Sequence, residues 1–424
     1  MALAAIVIVV LTLTPGGVPP VGGDGVTAWH RVSCVTCPPT WLADIISNVV
    51  LFIPLGAALV YAGVSPLRTV LLGAAASMGI ELLQFAGLPS GRAPALADLC
   101  SNAAGTLLGA RCARHASTLL WPDVRRARLL RTVWALACAG VLFVSALALS
   151  PATPERLVDV VRGSTLPFTP GYGWSSTEAT EAVVNGTEVR HRGNGPVIVA
   201  SLRPAKATAS VTVRGRDGRD GAVPIVFVHD PAMTTLDPRE TFAYLLLAQR
   251  GRDASLSSDL RAGRWGLSSP ALLNRGAFVA GRSSVSLRAG ITADRWTLDW
   301  RDPNVAGETR TAVLRLSPSI AWALVQGVVP VSSSAALLMT VLWLFVLFAP
   351  LGYWGQRRAQ HRTLTDAVRT TVLVTLLLLI AFGSARVTGT APLSVMASAG
   401  CVLASLAGLA LRRVASAWSP LIEV

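Results

Sequence analysis

Charge is what this chain has least of. Only 14% of its 424 residues are charged, against about 25% in an average soluble protein. With 52% hydrophobic residues, that deficit excludes an ordinary soluble globule over the whole length. Lysine is all but missing: Lys206 is the only one, and arginine carries the rest of the positive charge. The net charge of +14 and pI near 10.9 would fit a nucleic-acid binder. Arginines flanking apolar segments account for the excess, so nucleic acid is not an expected partner. Cysteine is scarce as well. Cys100, Cys112, Cys138 and Cys401 lie in or beside apolar runs and read as small apolar residues. Cys34 and Cys37 form a lone C-x-x-C, which fits a disulfide in an oxidising compartment. A metal site would need a second ligand pair, and the spacing of the remaining cysteines supplies none.

Long apolar runs are what the sequence does have. They cover residues 2–14, 46–61, 70–85, 99–110 and 133–149, then 335–353, 368–383 and 394–411. That gives about eight membrane spans. The first lacks a basic leader and an A-x-A cleavage signal, and reads as a helix rather than a signal peptide. The third and fourth are rich in Gly, Ala and Ser, as expected of interior helices that approach closely. Arginines then orient the bundle. One set of connections carries Arg68; Arg111, Arg114, Arg125, Arg126, Arg128 and Arg131; Arg357, Arg358 and Arg362; and Arg412 and Arg413. The alternate connections carry only Arg31, Arg92 and Arg386. The arginine-rich set is expected in the cytoplasm, with both termini, and residues 151–330 outside.

Residues 151–330 have no run long enough to span. Short β-type runs at 196–202, 209–213, 223–229, 242–248, 284–287 and 296–300 alternate with Gly, Pro, Asp and Asn. This texture predicts an antiparallel sandwich. Residues 216–221, RDGRDG, mark a turn. The expected organisation is four spans in 1–115, a basic loop and fifth span in 116–150, a β domain in 151–330 and three spans in 331–424. The last three spans show few polar residues, and Trp343, Phe345, Phe348, Tyr353 and Trp354 read as lipid-facing or interfacial anchors.

The most informative feature is a repeat. Asp44-x-x-Ser47-Asn48 opens the second span and Asp98-x-x-Ser101-Asn102 opens the fourth, and each leads into an L-G-A step. Asp and Asn at i and i+4 share a helical face. As helix N-terminal residues they can serve as caps and complement the dipole. The third span adds Glu81 and Gln84 on one face, and Arg92 follows in the same outer connection. By topology Asp44, Asn48, Glu81, Gln84, Arg92, Asp98 and Asn102 gather at one membrane surface. An ionisable residue within a span marks a functional site or a buried ion pair, and Arg92 is the natural partner of Glu81.

These residues resemble the VanZ-like family. The likeness rests on SNVVLFIPLG at 47–56, IELLQ at 80–84, GR at 91–92, DLCSNAAG at 98–105 and LG at 108–109, in the family's order. One departure is Ala95-Leu-Ala97 before Asp98, where the family usually has an aromatic–Asp step. The resemblance implies a small helical membrane unit, in a family whose namesake is associated with low-level teicoplanin resistance. The outer segment is similar to concanavalin A-like (laminin G-like) jelly rolls through FAYLLLAQ at 242–249, RGRD at 250–253, Leu256, Leu260, Arg261, SVSL at 284–287 and WTLDW at 296–300. That likeness implies carbohydrate binding, often with calcium, although no calcium constellation stands out. Asp217, Asp220 and Asp230 read equally as turn residues, and His191 and His229 as surface or strand-face residues.

The expected fold is therefore a membrane all-α helical bundle with an inserted all-β sandwich of jelly-roll type. No cofactor is expected. Expected partners are membrane lipid and a glycan or lipid-linked cell-wall precursor. Two functions compete: an envelope-binding protein involved in glycopeptide resistance, and a membrane enzyme using Asp44, Glu81 and Asp98 as acid–base groups with Arg92 holding an anion. The sequence offers no nucleophile motif or phosphate loop for the second. A transporter would place such a repeat at midplane rather than at one surface.

Overall fold

The computed structural model describes residues 8, 12, 41–86, 88, 94–152, 159–162, 178–188, 206–214, 222–229, 243–278, 284–302, 309–326, 334–355 and 363–418. Its helices are α1 (Trp41–Tyr61), α2 (Pro66–Phe85), α3 (Leu96–Arg114), α4 (Ala116–Leu120), α5 (Val124–Ala148), α6 (Arg261–Arg264), α7 (Ala323–Gln326), α8 (Ser334–Tyr353), α9 (Thr363–Thr388) and α10 (Val395–Trp418). Six of the described helices, α1, α2, α5, α8, α9 and α10, are long and apolar enough to cross a membrane. The fourth expected span is the helix α3, at 19 residues, but its Ser, Asn, Thr and Gly content keeps it outside that group. Of the first expected span only Ile8 and Thr12 are described. Both are helical, the Thr12 hydroxyl donates to the Ile8 carbonyl at 2.7 Å, and Ile8 packs with Phe52 and Ile80.

The helices pack in two groups. α3 lies against α1 and α2, while α8 packs on α10 and α5 on α9. Leu142 of α5, Phe348 of α8, Val374 of α9 and Cys401 of α10 share one buried core. Small residues set the separations. A Cβ on Gly352 would collide with the Ser405 carbonyl, and one on Gly408 with that of Ala349, so α8 and α10 touch backbone to backbone. Phe348 is thus a core residue rather than a lipid-facing anchor, because this contact turns its face inward. Trp343 also departs from expectation: its indole donates to Pro318 O at 3.1 Å. Phe345 is 37% exposed, as a lipid-facing side chain should be.

The intervening segment folds into two antiparallel sheets. The strands are β1 (Asp159–Arg162), β2 (Glu178–Val184), β3 (Thr187–Glu188), β4 (Lys206–Arg214), β5 (Ala222–His229), β6 (Ala243–Arg250), β7 (Asp253–Ser257), β8 (Leu272–Asn274), β9 (Val285–Thr292), β10 (Arg295–Arg301) and β11 (Thr309–Arg315). One sheet runs β1-β5-β6-β7-β8 and the other β11-β10-β9-β4-β2-β3. Alternate residues point inward, as Val285, Leu287, Ala289 and Ile291 do on β9 and Trp296, Leu298 and Trp300 on β10. The two inner faces share one hydrophobic core, the arrangement of a β-sandwich. Five of the six expected strand runs coincide with β4, β5, β6, β9 and β10. The run at 196–202, the turn at 216–221, His191 and the three candidate calcium aspartates lie outside the described residues, as do Cys34, Cys37 and Arg92. The side chain of His229 is not described.

The sandwich is fixed to one end of the helices. Ala148 and Leu149, at the end of α5, belong to its core. Arg261 N–H donates to Ser150 O at 3.0 Å. Leu42 and Ala43, whose N–H groups open α1 and have no helical acceptor, both donate to Gly266 O at 2.9 and 3.0 Å. In the loop before α10, Ala391 N–H donates to Leu316 O at 2.9 Å. The indole of Trp322 donates to the Thr340 hydroxyl at 3.0 Å. Every attached helix end is thus one that the arginine distribution assigns to a single side. Gly266 is the tightest point, with φ +71° and its α-carbon against the Trp41 ring. Gly266→Ala is expected to destabilise this attachment by about 1–2 kcal/mol from the left-handed backbone alone, and by more where the new methyl meets Trp41. Faster proteolysis between the sandwich and α1 would register this, whereas cleavage at the wild-type rate would contradict it.

Candidate functional site

The site is organised by two parallel helices in close contact. α1 and α3 both start at the sandwich end. A Cβ on Gly56 would collide with the Thr106 carbonyl, one on Gly105 with that of Val49, and one on Gly109 with that of Ile53. α2 completes the unit, with Gly73 accommodating the Thr106 side chain. Of the small residues noted in the third and fourth apolar runs, Gly73, Gly105 and Gly109 make these contacts, and Gly56 joins them from the second run.

This proximity joins the two copies of the repeat. Asn48 of the first donates through Nδ2 to Asp98 Oδ1 of the second at 2.8 Å. The reciprocal pairing does not form. Asn102 instead donates to the Ser77 hydroxyl of α2 at 2.9 Å, which makes the repeat asymmetric. Asp98 is not the N-cap of α3. Asp44 and Asp98 lie in the first turns of their helices, and the N-cap of α3 is Ala95, without a side-chain cap bond. That role passes to α2: Glu81 Oε2 accepts the Ala95 N–H at 2.8 Å. A carboxylate at a helix N-terminus meets both a free donor and the positive end of the dipole.

Of the predicted residues, the structure therefore brings together Asn48, Glu81, Asp98 and Asn102 through two interhelical bonds, a helix-to-cap bond and their neighbours. Glu81, Gln84 and Asn102 are 8%, 6% and 3% exposed, while Asp44 is at the exposed rim. Asn102 stands 6 positions beyond the start of α3, or roughly 9 Å at 1.5 Å per residue. The cluster thus reaches inward from the surface. Ser101 donates to Asp98 O at 3.0 Å and Thr106 to Asn102 O at 2.9 Å, and both bonds are internal to α3. Two buried oxygens have no hydrogen-bond partner among the described residues: Asn102 Oδ1 and Thr69 Oγ1. Buried polar atoms are seldom left so, and Asn102 Oδ1 is an acceptor without a donor. No grouping of His, Cys, Asp and Glu suited to a metal occurs among the described residues.

Sequence reasoning missed a second polar cluster. Arg131 of α5 donates to the Thr370 hydroxyl of α9 at 3.2 Å, and its Nε is buried without a partner among the described residues. Asp366 is 3% exposed on the same stretch of α9. The C-terminal helices are therefore not purely apolar. The signal was present as an acid and an arginine at the ends of two apolar runs, but only packing brings those runs together. At this same end Tyr353 OH donates to Leu120 O at 2.7 Å and the Trp354 indole to Leu119 O at 3.0 Å. Both side chains thus bind the last carbonyls of α4.

A double-mutant cycle on Asn48→Ala and Asp98→Ala is expected to give a coupling of about 1 kcal/mol in thermal unfolding, within the range of hydrogen bonds between membrane helices. Additive effects would show that the two repeat units are not bonded.

Residues 2–120 match the VanZ/LLP1 family model, the segment that holds α1, α2, α3 and the polar cluster. No curated protein and no solved structure matches the chain. The matched part is a VanZ-like membrane unit, and it is built into a larger multi-pass protein that carries a β-sandwich at one end of its helices.

Proposed function

We propose that the chain is a cell-envelope protein of the cytoplasmic membrane that binds an amphiphilic or lipid-linked envelope molecule at the outer surface, in a role connected with glycopeptide resistance. One observation carries the reading. The VanZ-like helices hold Glu81, Gln84 and Asn102 buried at the end that also bears the sandwich, and Asn102 Oδ1 is an unmatched acceptor there. A ligand with a hydroxyl or amide donor, entering between α2 and α3 from the rim, would satisfy it. In this reading Arg92 completes the site, both termini face the cytoplasm, and the full complement of spans is about eight. The sandwich, as a jelly roll of concanavalin A-like type, would hold the glycan part of the same molecule.

The acid–base alternative has less support. Glu81 Oε2 accepts a backbone N–H and Asp98 Oδ1 an amide N–H, which positions both carboxylates, but the sequence supplies no nucleophile motif or phosphate loop beside them.

A deletion strain tested for teicoplanin sensitivity separates these ideas. The full chain is expected to restore tolerance, residues 1–150 to restore less of it, and Glu81→Gln with Asp98→Ala to restore none. If that double variant, at normal protein levels, protects as well as the wild type, the cluster has no part in the function. Loss of protection in Asp98→Ala with retention in Asp98→Asn would speak for binding, because an amide keeps the shape but not the acid.

A further inference from the structure

The sandwich carries a second feature, on the outer face of its six-stranded sheet. An open cleft of about 520 Å³ runs along β9 and β10, lined in part by Arg288, Gly290, Thr292, Arg295 and two carboxylates, Asp294 and Asp299, with Arg315 just outside it; Asp294 accepts the Thr292 hydroxyl at 2.9 Å. Its floor is Gly290, where a Cβ would press on the Thr297 hydroxyl at 2.6 Å. The glycine is what leaves the depression between the arginines.

The charges are placed against the stability of the sheet. Arg295 and Arg315 are direct cross-strand partners, and both are exposed. Like charges opposite one another destabilise a strand pair. No carboxylate pairs with Arg288, Arg295 or Arg315 among the described residues, since the single ion pair there is Arg126 with Asp123. Asp299, across from Arg288, is engaged by the Thr311 hydroxyl at 2.7 Å.

The position of the cleft is the second observation. The turn between β9 and β10 meets the loop between α9 and α10: the Cβ of Ala293 lies 3.7 Å from the place a Cβ on Gly389 would occupy. Leu316, next to Arg315, accepts the Ala391 N–H at 2.9 Å. The α9 helix is 26 residues long, about 39 Å, which exceeds a hydrocarbon core of about 30 Å and puts its end among headgroups. Arg295 and Arg315 are therefore at headgroup height, with Arg288 two pleats above, beyond the Gly290–Thr297 pair, or roughly 13 Å along the strand.

We propose that this arginine pair and the cleft above it hold the phosphate of an anionic phospholipid headgroup in the leaflet beneath the sandwich. A phosphate between Arg295 and Arg315 removes their mutual repulsion and accepts charge-assisted bonds from both. The polar remainder of the headgroup extends up the cleft toward Arg288, and the Thr292 and Thr297 hydroxyls, which already donate within the protein, accept from its hydroxyl groups. The site is distinct from the VanZ-like cluster and does not depend on its ligand.

The test uses the full chain in nanodiscs containing a phosphatidylglycerol with a photoactivatable headgroup, and crosslinked peptides are mapped. Adducts are expected on residues 285–301 in the wild type. At limiting lipid, each of Arg295→Gln and Arg315→Gln should lower their yield about fivefold, and the double variant about 30-fold. Arg252→Gln, on an exposed turn elsewhere in the sandwich, should leave it unchanged. Adducts at the arginine-rich opposite end serve as an internal reference. In nanodiscs of phosphatidylcholine alone, thermal unfolding of the variants should match or exceed the wild type, because a repulsive pair with no bound anion has been removed. The proposal is overturned by equal crosslinking from a phosphatidylcholine probe, by unchanged adducts in the double variant, or by displacement with inorganic phosphate at the lipid's own concentration. The last outcome would make the cleft a site for soluble anions.

Discussion

The contact between α1 and α3 is the constraint on which the polar cluster depends. Two parallel helices approach until backbone touches backbone at Gly56, Gly105 and Gly109. In lipid there is little hydrophobic gain in bringing apolar helices together, so close packing and interhelical bonds must hold them. The glycines allow the approach. The approach lets a short Asn side chain reach an Asp on the neighbouring helix, and it closes α2 over Ser77 and Asn102. Wider spacing would leave Asn48, Asp98 and Asn102 as separate polar side chains, each a burden near hydrocarbon.

The same economy of polar groups explains how the sandwich is attached. A helix that begins at a membrane surface exposes N–H groups with no acceptor of its own. Here Gly266 supplies one carbonyl to two such donors of α1, and Glu81 supplies a carboxylate to the start of α3. The last turn of α5 goes further and enters the sandwich core through Ala148 and Leu149. The sandwich thus helps to terminate the helices, and the helices fill part of its core.

Much of this was legible in the sequence. Hydropathy located the helices because lipid demands long apolar runs, and alternation located the inward faces of β9 and β10. The D-x-x-S-N repeat and the Gly-rich runs announced a cluster and a close contact. Other features had no local signature. Asp98 looked like a cap and proved to be an acceptor for Asn48. Phe348 looked like a lipid anchor and proved to be core. Arg131 and Asp366 belong to different apolar runs far apart in the chain, and nothing in either run shows that α5 packs on α9.

The sequence by itself determined which segments are apolar enough to cross a membrane, which connections are rich in arginine, and which polar residues gather at one end of the helices. These follow from period, length and charge, all read along one dimension. Only the tertiary structure decided which residue bonds to which: Asn48 to Asp98, Asn102 to Ser77, Glu81 to the start of α3, and Arg295 across from Arg315. The reason is physical. Partition into lipid or water is a property of a segment, whereas a hydrogen bond or a repulsion depends on a few ångströms between side chains that separate helices and strands bring together.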